Sequence, residues 1–229
     1  MRGCAVKGAR VPEPMIVSNT CFAAVAAGAI PAGYAAAVAA RRLAESPHPS
    51  VWTMIAGAAA LGAWATVIMP SLPLLAVTLG LGWALLVLAA VDALAFRLPD
   101  LLTLPLIVTG LGVSLILPAR DIVGHIAAAL IAMLLFYAVA ATYRRLRGEE
   151  GLGLGDVKLA GAAGAWLGWE PLPYVVLFAC AVGLVWVGVA TIRRGREGLR
   201  ERIPFGTALC IGIWLVWLYG PPEFFAPMI

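Results

Sequence analysis

The chain has 229 residues, of which 62% are hydrophobic and only 12% are charged, and its formal net charge is +4. A soluble globular domain is about 45–50% apolar and about 25% charged, so the composition excludes an ordinary soluble domain and indicates an integral membrane protein. Positive loops are expected in any membrane protein, so the charge predicts no nucleic-acid partner. The apolar runs are long and continuous, which excludes a transmembrane β-barrel with its alternating polarity. We therefore predict an all-α polytopic protein surrounded by the lipid bilayer.

Eight apolar runs follow one another along the chain, and a run of roughly 20 residues is long enough to span a bilayer. The sixth run is short for a span, so it either extends back into the glycine-rich stretch before it or inserts only partly. We predict about eight transmembrane helices, with a range of six to eight, in a single domain, 1–229. The runs are 16–40, 51–69, 72–92, 101–117, 122–142, 159–169, 174–192 and 204–220.

The basic residues of the loops predict how the helices are oriented. If successive spans cross in alternate directions, the loops 41–50, 93–100, 143–158 and 193–203 share one side and hold twelve of the sixteen Lys and Arg residues. That side is predicted to face the cytoplasm. The N-terminus then lies outside despite three basic residues of its own, and we give the four internal loops more weight. No clear signal-peptide cleavage site follows those residues, so the first run is predicted to remain as a span.

The cysteines and histidines do not indicate a metal site. None of the four cysteines forms a CxxC pair, and Cys21, Cys180 and Cys210 lie in apolar runs, where small buried side chains are the favoured interpretation. His48 and His125 lack partners at metal-ligand spacing. We predict no metal.

Two aspartates stand at the predicted membrane boundary, on the same side and at similar depth. Asp92 lies near the end of the third run, and Asp156 ends the segment GLGLGD just before the sixth run. Ionisable residues inside membrane spans are costly, and each is a functional hypothesis by default. The predicted topology would allow the third and sixth helices to bring the two carboxylates together.

Two carboxylates held close in a low-dielectric site cannot both ionise easily, so they share a proton. The ionised member can take a proton from water while the protonated member polarises a carbonyl, which is the chemistry of aspartic proteases. Gly153 and Gly155 lack Cβ atoms beside Asp156, so a substrate backbone could approach closely. Lys158 is predicted to hold Asp156 ionised or to contact phospholipid head groups.

Each aspartate also has a purely structural interpretation of about equal weight. Asp92 could cap the end of the third helix and pair with Arg97, and Asp156 could be the N-cap of a helix that begins at Val157. A non-enzymatic alternative is a small transporter that uses the same carboxylates as a proton or cation pair. Transporters more often show broken helices at matching positions in two halves, whereas this chain has one glycine-rich interruption.

The combination of motifs resembles the type IV prepilin peptidases of the GxGD aspartyl protease group, most strongly over 75–220. Carried over residue by residue, the resemblance implies that Asp92 and Asp156 are the catalytic aspartates. It implies a multi-pass enzyme of the bacterial cytoplasmic (inner) membrane that cuts the basic leader from type IV prepilins or type II secretion pseudopilins at the cytoplasmic face. The stretches that carry it are VDALAFRLPDLLTLPLI (91–107), GLGLGDVKLAGAAGAWLGW (151–169) and ERIPFGTALCIGIW (201–214).

Two features depart from the family pattern. Leu94 stands where many members have a second acidic residue, and the loop 41–50 has no cysteine where many members carry a zinc-binding tetracysteine domain. We therefore expect a short form. In the family the same enzyme N-methylates the mature pilin, with S-adenosylmethionine as the methyl donor. The resemblance therefore implies this cofactor only if methyl transfer is retained. No cofactor is predicted for proteolysis. Other GxGD proteases, the alternative within the enzymes, usually have Tyr-Asp at the first site, where this chain has Val91-Asp92.

Overall fold

The computed structural model describes residues 19–46, 48–69, 71–117, 120–149, 151–195 and 203–220, and the chain in these ranges forms eight α-helices. The predicted all-α architecture is confirmed. Predictions for 1–18 and for 196–202 of the last basic loop lie outside the described residues. The helices are α1 Asn19–Ala44, α2 Val51–Ile68, α3 Leu72–Ala95, α4 Asp100–Ile116, α5 Ile122–Arg147, α6 Leu154–Leu167, α7 Leu172–Arg194 and α8 Phe205–Tyr219.

Most of the helices suit a membrane by their length and composition. Within the described ranges, five helices are long and apolar enough to cross a bilayer, namely α1, α2, α3, α5 and α7, while α4 and α8 are apolar but shorter. Their outer faces expose large apolar side chains such as Trp52, Leu134, Leu184 and Ile192. Soluble monomers rarely expose such continuous apolar surface, so lipid is the environment that these faces fit. The protein is therefore a multi-pass membrane protein.

The shortest helix, α6, lies at the centre of the bundle and packs against α4, α5, α7 and α8. Its residues 159–166 are all buried. A helix that is apolar all round belongs in a core, and the glycines and alanines of α6 let its neighbours approach closely. The sixth predicted run thus extends back into the glycine-rich stretch, which was one of its two predicted alternatives.

Polar contacts hold the C-terminal end of α6. The Trp166 indole donates to the Leu106 carbonyl at 2.8 Å, and Arg120 donates to the Trp166 carbonyl at 2.6 Å. His125 Nδ1 lies 3.0 Å from the Ala165 carbonyl oxygen. The last carbonyls of a helix have no partner within it, so these contacts satisfy groups that burial would otherwise leave unpaired. With its C-terminal end fixed in this way, α6 presents its first turn at the opposite end of the bundle.

Gly164 marks a close approach of α5 to α6. A Cβ added there would lie 2.6 Å from the backbone carbonyl carbon and oxygen of Ala128. Overpacking of this kind costs about 1–3 kcal/mol, so we expect Gly164→Ala to lower the free energy of unfolding by that amount. Unfolding in mixed micelles measures the change. The control is Gly80→Ala in α3, where an added Cβ would meet no atom within 4 Å; equal stability of the two variants would contradict this packing.

Candidate active site

The ends of four helices meet at one end of the bundle. We call it the dyad end, because it carries the pair, or dyad, of candidate aspartates, Asp92 and Asp156. There α3 ends at Ala95, α4 begins at Asp100, α6 begins at Leu154 and α8 begins at Phe205. These helix ends carry the residues that the sequence singled out, because each candidate aspartate lies within one turn of a helix terminus.

Three of the four loops that were predicted to share one side of the membrane, 41–50, 93–100 and 143–158, contact each other at the dyad end. Arg97 pairs with Glu45 at 2.9 Å and donates to the Leu43 carbonyl at 3.2 Å, which joins the α3–α4 connection to the end of α1. Lys158 pairs with Asp100 at 2.5 Å, which joins α6 to the start of α4. The structure therefore agrees with the predicted grouping of these three loops.

Asp92 lies in the last turn of α3 and is only 5% exposed. Its Oδ2 atom accepts the backbone N–H of Thr207 at 2.6 Å and lies 3.1 Å from the Thr207 hydroxyl oxygen, which is also 3.0 Å from the Ala89 carbonyl oxygen. Thr207 is in the first turn of α8, where backbone amides have no partner within the helix. Asp92 therefore caps the start of α8 across the bundle, and Arg97 pairs with Glu45 instead of with Asp92.

Asp156 lies in the first turn of α6 and is half-buried. The N-cap of this helix is Gly153, so Asp156 is the third helical residue and not the N-cap of a helix that begins at Val157. Gly153 lies beside this carboxylate, since a Cβ built on it would be 3.5 Å from Asp156 Oδ2. Among the residues that the structure describes, the buried Oδ1 atom of Asp156 has no hydrogen-bond partner.

Gly206 is the point at which the two carboxyl groups meet. A Cβ built on Gly206 would lie 2.9 Å from Asp92 Cγ and 3.0 Å from Asp156 Oδ1. Because a single position lies within 3.0 Å of both atoms, the two carboxyl groups are close neighbours. They therefore interact electrostatically. The structure thus brings Asp92 and Asp156 together, as the topology predicted, and both carboxyl groups lie against Gly206, where a side chain would collide with them.

Leu98, in the α3–α4 connection, covers the dyad from one side. A Cβ on Gly155 would lie 2.7 Å from Leu98 Cβ and 3.2 Å from its backbone N and O atoms, and Leu98 Cδ1 also lies against Gly206. Gly155 therefore admits the backbone of Leu98. The sequence predicted the approach of a substrate backbone at this position, and that prediction is corrected for Gly155. Gly153 has looser surroundings, since its added Cβ would lie 3.5 Å from Asp156 Oδ2.

Lys158 contacts Asp100 rather than Asp156. Its Nζ lies 2.5 Å from Asp100 Oδ1, and the two side chains are 28% and 59% exposed. This geometry corrects the expectation that Lys158 holds Asp156 ionised. A partly exposed ion pair contributes about 0–1 kcal/mol, so Lys158 makes a modest link between α4 and α6.

Thr207 is the partner of Asp92 that sequence reasoning missed. The available signal was the Ile-Pro-Phe-Gly segment, in which Pro204 precedes α8 and places Thr207 in its first turn. That signal predicts a helix start but does not show which side chain uses its amides. No cluster of three or more His, Cys, Asp or Glu side chains that could hold a metal ion occurs in the described ranges.

Together these features define an all-helical membrane protein with paired carboxylates at one end of its bundle. A model of the type IV leader peptidase family matches residues 79–188, a range that includes both aspartates. The resemblance of the chain's motifs to this family is therefore confirmed over residues 79–188.

Curated relatives agree with this match. Proteins named prepilin leader peptidase/N-methyltransferase from Burkholderia pseudomallei (strain K96243), Aeromonas salmonicida and Pseudomonas aeruginosa are 41%, 39% and 34% identical over 143, 145 and 140 residues. The matches cover 62%, 61% and 61% of this chain, and 46%, 48% and 48% of those proteins. The chain thus spans about half the length of the curated relatives it matches. No solved structure matches it.

Proposed function

We propose that this protein is a membrane-embedded aspartyl endopeptidase that removes the basic leader from type IV prepilins or pseudopilins. The observation that carries the proposal is the placement of the Asp92 and Asp156 carboxyl groups together against Gly206. The family match and the printed names of the relatives support the substrate class. Nothing in these comparisons favours the alternative of a transporter that uses the same aspartates.

The surroundings of the two carboxyl groups suggest different roles for them. Thr207 directs its backbone amide and its hydroxyl at one oxygen of Asp92, and donors stabilise an ionised carboxylate. Asp156 Oδ1 is buried without such a donor among the described residues. A second negative charge beside the first would be costly, so Asp156 holds the shared proton and Asp92 is the base.

Hydrolysis then proceeds through a water molecule held between the two carboxyl groups. Asp92 takes a proton from the water as the water oxygen attacks the scissile carbonyl carbon, and Asp156 donates its proton to the carbonyl oxygen to give a diol. When the C–N bond breaks, the proton on Asp92 passes to the leaving amine, and Asp156 regains a proton from a diol hydroxyl. No cofactor takes part in these steps, and S-adenosylmethionine stays a prediction for methyl transfer alone.

The dyad end is proposed to face the cytoplasm of a bacterial cell, with the bundle in the inner membrane. Several basic residues of the described chain lie in the last turns or loops at this end, which is the pattern of cytoplasmic loops. A prepilin leader is a short basic segment ahead of an apolar helix, so its junction lies at the same membrane face as the dyad. The basic residues are Arg41, Arg42, Arg97, Arg144, Arg145 and Arg147.

Cleavage of a purified prepilin in phospholipid vesicles tests the proposed function. The native protein should release the leader from the prepilin, and mass spectrometry identifies both products. An intact prepilin in the presence of folded protein would contradict the proposal.

The Thr207 hydroxyl provides a graded test of how Asp92 is held. Thr207→Val keeps the size of the side chain and the backbone donor but removes the hydroxyl. A hydrogen bond to a charged group contributes about 1.5–3 kcal/mol, so the kcat for prepilin cleavage should fall about 10- to 100-fold. Thr207→Ser keeps the hydroxyl and should retain most of the activity. Equal kcat values for the two variants would show that the hydroxyl does not position Asp92.

A further inference from the structure

An apolar groove runs along α6 between α5 and α7. Its walls come from 124–136 of α5 and 172–176 of α7, and its floor is formed by Ala160 and Ala163 of α6 with Leu209 of α8. The cavity volume is about 690 Å³, and every lining residue is apolar. At 1.5 Å per residue, the α5 wall is about 18 Å long, which is more than half the thickness of a bilayer core.

Two helices connect the floor of the groove with the two aspartates: α6, which carries Asp156, and α8, which carries Gly206. Ala160 and Ala163 follow Asp156 by four and seven residues, so the three residues lie on one face of α6. Leu209 follows Gly206 by three residues, so it lies about one turn further along α8. An apolar molecule in the groove would therefore have one end about one helical turn from the paired carboxylates.

We propose that the groove holds the apolar helix of the substrate, with the leader junction placed at the dyad; this rests on the proposed function. The occupant is a single transmembrane helix with a basic segment at its N-terminal end. Small side chains allow a helix backbone to approach closely within a membrane, whereas a lipid acyl chain needs neither a small-residue lining nor a route to carboxylates. The small lining residues are Gly124, Ala127, Ala128, Ala132, Ala160 and Ala163.

Two aromatic rings mark the boundary between the groove and the dyad. The ring centroids of Phe136, in the groove wall, and Phe205, next to Gly206, are 6.4 Å apart. An apolar helix in the groove meets these rings before its backbone reaches the carboxylates. The rings therefore set the register between the first apolar residue of the substrate and its scissile bond.

Photo-crosslinking tests the groove without requiring cleavage. The photoreactive residue p-benzoylphenylalanine replaces Ile131, which lines the groove, or Leu134, which lies on α5 outside it; their side chains are 59% and 68% exposed. Both changes are made together with Asp156→Asn, so that a prepilin in phospholipid vesicles stays whole. We expect a prepilin adduct at position 131 in several-fold excess over position 134. Equal adducts, or a phospholipid adduct in place of the prepilin adduct at 131, would overturn the proposal.

Bulky substitutions separate a failure of this inference from a failure of the proposed function. With both aspartates present, Ile131→Trp should raise the KM for prepilin about tenfold by narrowing the groove, whereas Leu134→Trp should behave as the native protein does. Native cleavage combined with equal KM values for the two variants would overturn the groove and leave the peptidase function standing. If the native protein cleaves no prepilin, the proposed function fails, and the adducts alone decide whether the groove binds the helix.

Discussion

Gly206→Ala is expected to lower the kcat for prepilin cleavage by about 100-fold or more, because the new methyl group would collide with both carboxyl groups. Its Cβ would lie 2.9 Å from Asp92 Cγ and 3.0 Å from Asp156 Oδ1, closer than ordinary van der Waals contact. At least one carboxyl group must then move, and a displacement of reacting groups by about 1 Å costs around 100-fold in rate. The rate of leader release at saturating prepilin measures the effect.

Gly112→Ala in α4 is the matched control for this change. It adds the same methyl group to a helix, but at a position where an added Cβ would meet no atom within 4 Å. The control should cleave at the native rate. Native kcat for Gly206→Ala as well would show that the carboxyl groups do not lie against this residue in the working enzyme.

The helices could be predicted because long apolar runs are a strong local signal. The fifth run, 122–142, became Ile122–Arg147, since basic residues continue the helix until Gly148 ends it in a left-handed conformation with φ 72°. The predicted bounds of the sixth helix, 159–169, are less accurate, because a segment rich in glycine with charges at its start resembles a loop. Packing on all sides makes this segment the helix Leu154–Leu167, and that packing cannot be derived from the local sequence.

The two aspartates could be predicted, but their partners could not. Asp92 and Asp156 stand out because charges are rare in apolar sequence. Their partners depend on contacts between distant parts of the chain, such as Thr207, which is 115 residues from Asp92. Lys158 was expected beside Asp156 because it is close in sequence, but residues two apart on a helix do not face each other. It therefore reaches Asp100 on α4, 58 residues away.

Asparagine at either position of the dyad is expected to have the largest effect of any single change. The amide keeps the size and shape of the carboxyl group, but it can neither take a proton from water nor hold the shared proton. General acid–base catalysis contributes about 10²- to 10⁴-fold, so Asp92→Asn and Asp156→Asn should each lower kcat by at least that factor. Because the two carboxyl groups act as a unit, the double variant should be little worse than either single variant.

The most direct test of the aspartate pair compares the native protein with Asp92→Asn, Asp156→Asn and Asp100→Asn, using one prepilin in phospholipid vesicles. Asp100 provides the matched control, since it is a carboxylate at the same end of the bundle that pairs with Lys158 outside the dyad. Circular dichroism confirms that all four proteins are folded. We predict leader release by the native protein and by Asp100→Asn, and none by the two dyad variants. Cleavage at the native rate by either dyad variant would contradict the assignment of the carboxylate pair as the catalytic centre.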